Sequence, residues 1–271
     1  MPYINPPLNY MGGKFKLLTQ LDPLMDKNKR SFYDVFTGGG AVAMNLGLNY
    51  QRVYMNDLLS TGIHQSLCKE GTTFIKEMQS HLIGKEDKEG YAKLRTSFNA
   101  LPTPAKLWAL ILSCNSNMMR FNKKGEFNQT FGKRTFNPST EKKLQGYMQR
   151  LKKFESKGIK LYYSTHDFKD ERECFSDEDG MVYLDPPYFN TEAGYNTFWD
   201  VEDELLLLER CLEAKASVAV SGVLFDSKEN SPLLVGLANA SWIQHNLKMD
   251  YGKIRKAKEI TYQEVLFTNY K

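Results

Sequence analysis

The sequence predicts an α/β protein built on a doubly wound sheet and interrupted by a mainly helical segment. Three observations predict it. Strand-like and helix-like patterns alternate from Ser31 to Asp57 and resume after Gly158. The stretch between, from about Leu58 to Phe154, shows no such alternation. A run of three glycines separates the first strand from the first helix. Alternating strands and helices bury both faces of a sheet, whereas a helical run without strands must pack against something else.

Element by element, Ser31–Phe36 (S-F-Y-D-V-F) reads as a short strand running into Thr37-Gly38-Gly39-Gly40. A helical apolar pattern then covers Ala41 to about Leu48, and Arg52–Met55 is a second strand ended by Asn56-Asp57. That order of strand, glycine turn, helix, strand and acid is the first half of a doubly wound nucleotide-binding sheet. The middle segment includes an apolar helical run at Lys106–Leu112 and a polar, aromatic-studded stretch, Phe121–Phe136, able to hold a hairpin. Ile159–Tyr163 and Met181–Leu184 follow as strands and Val201–Ala214 as a helix. Ala216–Val220 and Glu264–Thr268 complete the strand candidates.

The 271 residues are ample for a real core. Against 32 acidic side chains stand 36 basic ones, a net charge of +4. Residues 120–160 hold twelve basic and three acidic side chains, so that window carries +9 and the rest of the chain −5. A small net charge that hides one strongly basic region predicts a polyanionic partner. Lys253-Ile254-Arg255-Lys256-Ala257-Lys258 is a second basic cluster, readable as a loop near the same partner or as a solvated turn.

Several classes are set aside. The longest apolar runs, such as Leu107–Leu112, fall far short of the ~20 residues of a membrane-crossing helix. Met1–Pro7 has neither the basic start nor the apolar stretch of a signal peptide. Cys68, Cys114, Cys174 and Cys211 form no C-x-x-C pair. The expectation is a cytoplasmic chain with free thiols, no membrane partner, and a monomeric or weakly dimeric state. His64 and Cys68 at i, i+4 make only two candidate ligands, so no metal is expected.

Two motifs carry chemistry. Gly38-Gly39-Gly40 lets the backbone approach a nucleotide closely, because no Cβ intervenes. Asp57, 19 residues after Gly38, stands where an acid accepts hydrogen bonds from ribose hydroxyls. The same residues would also make a tight turn with Asp57 capping the next helix. Neither a strict G-x-G-x-x-G nor a G-x-x-x-x-G-K-[ST] is present. The second motif is Val182-Tyr183-Leu184-Asp185-Pro186-Pro187-Tyr188. Two prolines past a strand end fix the backbone and remove two N–H donors, so the corner presents chiefly acceptors. A carboxylate in such a corner suits an exocyclic amino group, and Tyr188 offers a flat face for a base. A proline-stiffened turn with a core tyrosine is the structural alternative.

The D-P-P-Y run resembles the catalytic motif of amino-methyltransferases that use S-adenosylmethionine (AdoMet). The order of parts is similar to the Dam-type DNA adenine-N6 methyltransferases: Tyr10-Met11-Gly12-Gly13-Lys14, the glycine turn, a recognition insert, then Asp185–Tyr188. The run Asn117-Met118-Met119-Arg120-Phe121-Asn122-Lys123-Lys124-Gly125-Glu126-Phe127, continued by Phe131-Gly132-Lys133-Arg134, resembles that family's DNA-reading helix end and β-hairpin.

This resemblance implies a doubly wound, mixed sheet of the seven-stranded AdoMet-methyltransferase type with a mainly helical, hairpin-bearing insert. Residues 1–57 and 156–271 would form the catalytic domain and residues 58–155 the target-recognition domain. It implies catalytic roles for Asp185, Pro186, Pro187 and Tyr188. AdoMet contacts would come from Tyr10, Lys14, Asp34, Phe36, Gly38, Gly40, Asp57, Phe168 and Asp185, leaving S-adenosylhomocysteine as product. Double-stranded DNA would be met by Asn115, Ser116, Met118, Arg120, Asn122, Lys124, Thr130, Lys133 and Arg134, with Arg120 reading a guanine. Asn115 and Ser116 stand where relatives often place an aromatic wedge, and Thr130 where a proline is commoner. The implied reaction is methyl transfer to adenine N6 at GATC or a variant, by base flipping. The alternatives are an RNA adenine-N6 enzyme, a DNA cytosine-N4 enzyme, and an inactive DNA-binding relative.

Overall fold

Several helix starts are written into the sequence as a polar residue followed by proline. Thr103-Pro104, Asn137-Pro138 and Ser231-Pro232 each open a helix, and each cap oxygen accepts from a first-turn N–H, those of Lys106, Thr140 and Leu234. The cap satisfies an amide that lacks an intrahelical partner, and proline at the first position has none to satisfy. Asp200 opens another helix through a reciprocal capping box with Asp203.

The computed structural model describes residues 2–10, 12–189, 199–225, 229–248 and 262–271. In chain order it begins α1 (Leu18–Leu21), β1 (Ser31–Asp34), α2 (Ala41–Leu46) and β2 (Arg52–Asn56). The helical stretch follows: α3 (Thr61–Lys69), α4 (Thr72–Ser80), α5 (Lys88–Ala100), α6 (Pro104–Ser113) and α7 (Pro138–Ser156). Strands then return as β3 (Lys160–Ser164), with α8 (Glu173–Ser176), β4 (Gly180–Leu184), α9 (Val201–Glu213) and β5 (Ser217–Phe225). The chain closes with α10 (Pro232–Asn239), β6 (Ile243–Leu247) and β7 (Tyr262–Thr268).

The strands form a seven-stranded sheet in the order β3-β2-β1-β4-β5-β7-β6. Strands β3, β2, β1, β4 and β5 pair in parallel, whereas β7 runs antiparallel between β5 and β6. The sheet is therefore mixed, as expected. From β1 the chain winds outward through β2 to β3, then returns to start β4 on the other side of β1. Connections leave β1 and β4 in opposite directions, which opens a crevice at their carboxyl ends.

Two apolar layers cover the sheet. Phe32, Val53, Met55, Met181 and Tyr183 point to one face and share a core with Trp108 of α6 and Tyr147, Leu151 and Phe154 of α7. The helical stretch between β2 and β3 thus shares one unbroken core with the sheet. On the other face Val182, Leu184, Val218, Val220 and Phe267 pack with Leu207, Cys211, Leu233 and Leu237 from α9 and α10. A strand buried on both faces reads as a near-continuous apolar run, as Met181–Leu184 does.

Sequence and structure differ in places. Helix α10 and strand β6 were not expected; they are short, and eight or fewer residues give little periodicity to read. The hairpin expected in Phe121–Phe136 is narrow, reduced to isolated antiparallel bridges at Phe121–Phe127 and Cys114–Phe131. Cysteines 68, 114, 174 and 211 are free. No helix among the described residues is long and apolar enough to cross a membrane. The basic cluster at Lys253–Lys258 lies outside the described residues.

Candidate active site

The crevice opens into a cavity of about 490 Å³, within the size range of small-molecule sites. Loops after four parallel strands line it: Val35–Gly39 after β1, Asp57–Leu59 after β2, His166–Lys169 after β3 and Asp185–Tyr188 after β4. Tyr10, Gly12, Gly13 and Lys14 close one side, Trp199 another, and Phe121 and Gly125 reach in from the middle segment.

The glycine turn forms the floor. Gly38 has φ +50°, and a Cβ there would lie 3.1 Å from the Tyr10 ring, so the ring rests directly on the turn. Asp57 holds the turn from below. Its Oδ2 accepts from Gly38 N (2.9 Å), while Oδ1 accepts from Leu59 N (2.9 Å) and Ser60 N (2.8 Å). Asp57 therefore caps the turn and also lines the cavity. Gly40 is not among the lining residues. Its missing side chain makes room for His64, whose Cε1 would be 2.8 Å from a Cβ at φ +78°.

His64 ties this turn to the helical layer. Nε2 lies 3.0 Å from the Gly38 carbonyl and Nδ1 2.8 Å from the Tyr147 hydroxyl of α7. A carbonyl only accepts, so Nε2 carries the proton and Nδ1 accepts from Tyr147. Burial pushes the imidazole pKa down and keeps it neutral. Both nitrogens serve the fold, so His64 and Cys68 do not act as a ligand pair.

Aromatic rings build the far wall. Phe36, Phe168 and Trp199 meet with centroids 5.9 Å (Phe36–Phe168), 5.7 Å (Phe36–Trp199, edge-on) and 5.0 Å (Phe168–Trp199) apart. Trp199 is pinned by its Nε1–H donating to Glu204 Oε1 at 2.6 Å. Arg210 of α9 donates to the carbonyls of Phe168 and Lys169 and so holds the loop after β3. Sequence reasoning named Phe36 and Phe168 but missed Trp199, Asp167 and Leu58. Leu58 is 60% exposed at this cavity, and a leucine directly after Asp57, at the carboxyl end of β2, was the signal available.

The Asp185–Tyr188 corner lies opposite. Lys14 Nζ sits 2.7 Å from each carboxylate oxygen of Asp185, donates to Gly12 O (2.9 Å) and stands 4.9 Å from the Tyr188 ring centroid. The side chains are 4% and 18% exposed, so this is a sheltered pair. Burial raises the Asp185 pKa above the usual carboxylate range, and Lys14 pulls it back down. Behind it, Asp34 is fully buried and accepts from Ala43 N at 3.0 Å. Burial pushes Asp34 up to about 8, against the Ala43 N–H; the neighbouring Asp185 and Asp57 charges add to the rise.

A raised folded-state pKa contributes stability that is fully present below the unfolded value and lost as pH rises through the folded one. Asp34→Asn removes that dependence. The melting temperature of the variant relative to the parent is expected to climb as pH rises from about 4 to about 8, which thermal melts across that range would check. A constant difference would contradict the buried, proton-binding state of Asp34.

The basic middle segment meets the cavity through one tight turn. Phe121 and Phe127 bridge with rings edge to face at 5.5 Å, and Phe127 is fastened to Asn99 through its N–H (2.9 Å) and carbonyl (3.2 Å). Asn122 organises the turn: Oδ1 accepts from Lys124 N (2.9 Å) and Glu126 N (3.0 Å), and Nδ2 donates to Glu126 Oε2 (2.8 Å). Arg120 precedes this turn with an exposed side chain that makes no hydrogen bond or ion pair among the described residues. Arg134 instead donates to Asn117 Oδ1 (2.9 Å), and Lys133 pairs with Glu86 (3.0 Å). Ser116 (φ +58°) and Asn117 (φ +53°) form a left-handed elbow. Thr130 meets that elbow by its carbonyl, which accepts from Asn115 N at 2.8 Å. Asn115, Ser116, Thr130 and Lys124 are exposed, and Met118 is half-buried. Arg150, counted in the basic window, is buried and donates to the carbonyls of Met44 and Pro2.

A family model described as D12 class N6 adenine-specific DNA methyltransferase matches residues 10–248. The chain is 30% identical over 290 residues to the type II methyltransferase M.FokI of Planomicrobium okeanokoites, covering 99% of this chain and 43% of that protein. It is 27% identical to the modification methylase StsI of Streptococcus sanguinis, again covering 99% and 43%. With a DNA adenine methylase of Haemophilus influenzae it shares 29% identity over 68% of this chain and 63% of that one. The chain therefore spans less than half the length of the two modification methylases.

Proposed function

The chain belongs to the D12 class of N6 adenine-specific DNA methyltransferases, and from that premise we propose that it methylates adenine N6 in duplex DNA, at GATC or a close variant. The observation that carries this is the Asp185-Pro186-Pro187-Tyr188 corner, set at the crevice beside β1 and facing the same cavity as the glycine turn. The cavity suits AdoMet. Five aspartates line it (Asp34, Asp57, Asp167, Asp185 and Asp203) against two lysines, and with Asp34 holding its proton four of the five carry charge at neutral pH. Each lysine is already paired, Lys14 with Asp185 and Lys169 with Asp203. That balance favours a ligand bearing positive charge, and the Phe36–Phe168–Trp199 wall suits a planar base.

AdoMet, when bound, supplies a methyl group already activated by its sulfonium. Asp57 would hold the ribose hydroxyls, and Phe36, Phe168 and Trp199 would pack on the adenine ring. The lone pair of an adenine amine is delocalised into its ring and is a poor nucleophile. Asp185 and the carbonyl of Pro186 take one N–H each, which turns the lone pair out of the ring plane and toward the cavity. The carboxylate also offsets positive charge developing on nitrogen. Position is the main contribution of the corner. Adenine N6 is out of reach inside a stacked duplex, so the base is flipped out and stacks on Tyr188. Exposed Lys123, Lys124 and Lys142 supply phosphate contacts without sequence information.

Expression in a host free of DNA methylation, followed by digestion with methylation-sensitive and methylation-dependent nucleases, tests this reading. Protection at an adenine-containing site is the expected result. Unmodified DNA beside soluble protein would point to RNA or to an inactive relative, and cytosine modification to the N4 chemistry.

A further inference from the structure

The mechanism above leaves one carboxylate beneath the active site without a task. Glu264 lies on β7, opposite Val223 of β5 and Leu247 of β6, and is 7% exposed. A carboxylate at the centre of a strand that otherwise buries Val265, Leu266 and Phe267 is expensive to hold there unless something engages it. What engages it is the catalytic motif: the Tyr188 hydroxyl donates to Glu264 Oε2 at 3.2 Å. Tyr188 is thereby held through its hydroxyl on Glu264 and through its ring against the Lys14 ammonium.

The same hydroxyl also acts electrostatically on Asp185, favouring its ionised form. A phenol has one proton to give. Lys14 already meets both oxygens of Asp185, which leaves about two of the four acceptor positions of that carboxylate. A tyrosine proton on Asp185 would occupy one more. We propose that Glu264 is a positioning residue for methyl transfer: it holds the Tyr188 hydroxyl, fixing the ring plane that receives the target base and leaving Asp185 open to the amine. This inference rests on the adenine-N6 reading given above.

The test compares the full chain with Glu264→Leu, Glu264→Gln, Tyr188→Phe and the Tyr188→Phe/Glu264→Leu double variant. Steady-state kinetics, AdoMet binding by calorimetry, and the fluorescence of a duplex carrying 2-aminopurine at the target adenine are measured on each. Glu264→Leu and Tyr188→Phe should each lower kcat about tenfold, the scale of one hydrogen bond to a charged group. The double variant should lose no more than either single one, because both remove the same contact. Glu264→Gln, whose amide oxygen still accepts from Tyr188, should recover most of kcat. AdoMet affinity should stay within about twofold throughout, while stacking reported by 2-aminopurine changes in the two disruptive variants. Tyr188→Phe alters a single hydroxyl, so it reads the contact even if Glu264→Leu fails to fold. Unchanged kcat and fluorescence in Tyr188→Phe, or additive losses in the double variant, would overturn the proposal while wild-type methylation stands. A wild-type chain that leaves duplex adenine unmethylated would overturn the functional reading and this inference with it.

Discussion

Asp185→Asn is expected to lower methyl transfer by on the order of 10³-fold while duplex binding stays within a few fold. The substitution keeps the shape of the side chain and an acceptor oxygen but removes the charge. The size of the loss follows from where that charge sits: a sheltered carboxylate offsets developing positive charge without first shedding bulk water. Its ionised state depends on Lys14, 2.7 Å from both oxygens. Burial alone drives Asp185 toward the neutral acid, and Lys14 opposes it. Since the ionised form exists above the pKa, activity is lost as pH falls through it. Lys14→Met should raise that pKa further and move the acid limb of kcat/KM to higher pH. The partner left behind matters too. Asp185→Asn strands an ammonium that is 4% exposed, at a stability loss of about 3 kcal/mol, the low end for breaking a buried pair because Gly12 O and the Tyr188 ring remain. The double variant Lys14→Met/Asp185→Asn should regain most of the melting temperature and none of the activity. Methyl incorporation and melts on the three variants check both halves, and substantial activity in Asp185→Asn would remove the role assigned to its charge.

That corner was legible in the sequence because all of it is local. A strand, an acid, two prolines and an aromatic in succession state the backbone path, and the structure sets them at the end of β4. Asp57 was half legible: its place after β2 was clear, but only the fold reveals that Gly38, Leu59 and Ser60 all donate to it. Asn122 carries a second message besides the expected DNA contact. Asn122-Lys123-Lys124-Gly125 has the side-chain acceptor and terminal glycine of a tight turn, and the structure commits the asparagine to Lys124 and Glu126. Glu264 and Trp199 gave no signal of their own. Glu264 reaches Tyr188 across 76 residues because β7 inserts antiparallel between β5 and β6, and no local pattern states that pairing. The basic window also overstated its reach, since composition does not show which way a helix turns each lysine or arginine. Arg150 points into the core, and Lys143 is tied to Asn9 at 2.8 Å.

Arg120→Ala is expected to relax base preference at one guanine of the target by about 5- to 150-fold, the 1–3 kcal/mol of a bidentate arginine–guanine pair. The turn that carries Arg120 should survive. Its backbone is held by the Arg120 carbonyl accepting from Asn128 N (2.9 Å) and by the Phe121–Phe127 bridge, and neither uses the guanidinium. A side chain with no intramolecular partner among the described residues has nothing to give up before meeting a base. Its neighbour Phe121 lines the cavity, so Arg120 stands one residue from the cavity wall. Arg134 is the contrast. Its guanidinium is engaged with Asn117, whose Nδ2 donates to Ile111 O at 2.8 Å, so Arg134→Ala should disturb the left-handed elbow and lower stability along with binding. Lys124→Ala should weaken binding evenly across sequences and reduce the slope of log K against log salt by about 0.9. The decisive measurement is kcat/KM on duplexes carrying 7-deazaguanine at each guanine in turn. Wild type should lose rate at one position, where the missing N7 removes half of the bidentate contact. Arg120→Ala should show no further loss there, because the partner of that atom is already gone. An unchanged sensitivity to 7-deazaguanine in the variant would assign guanine reading to another side chain.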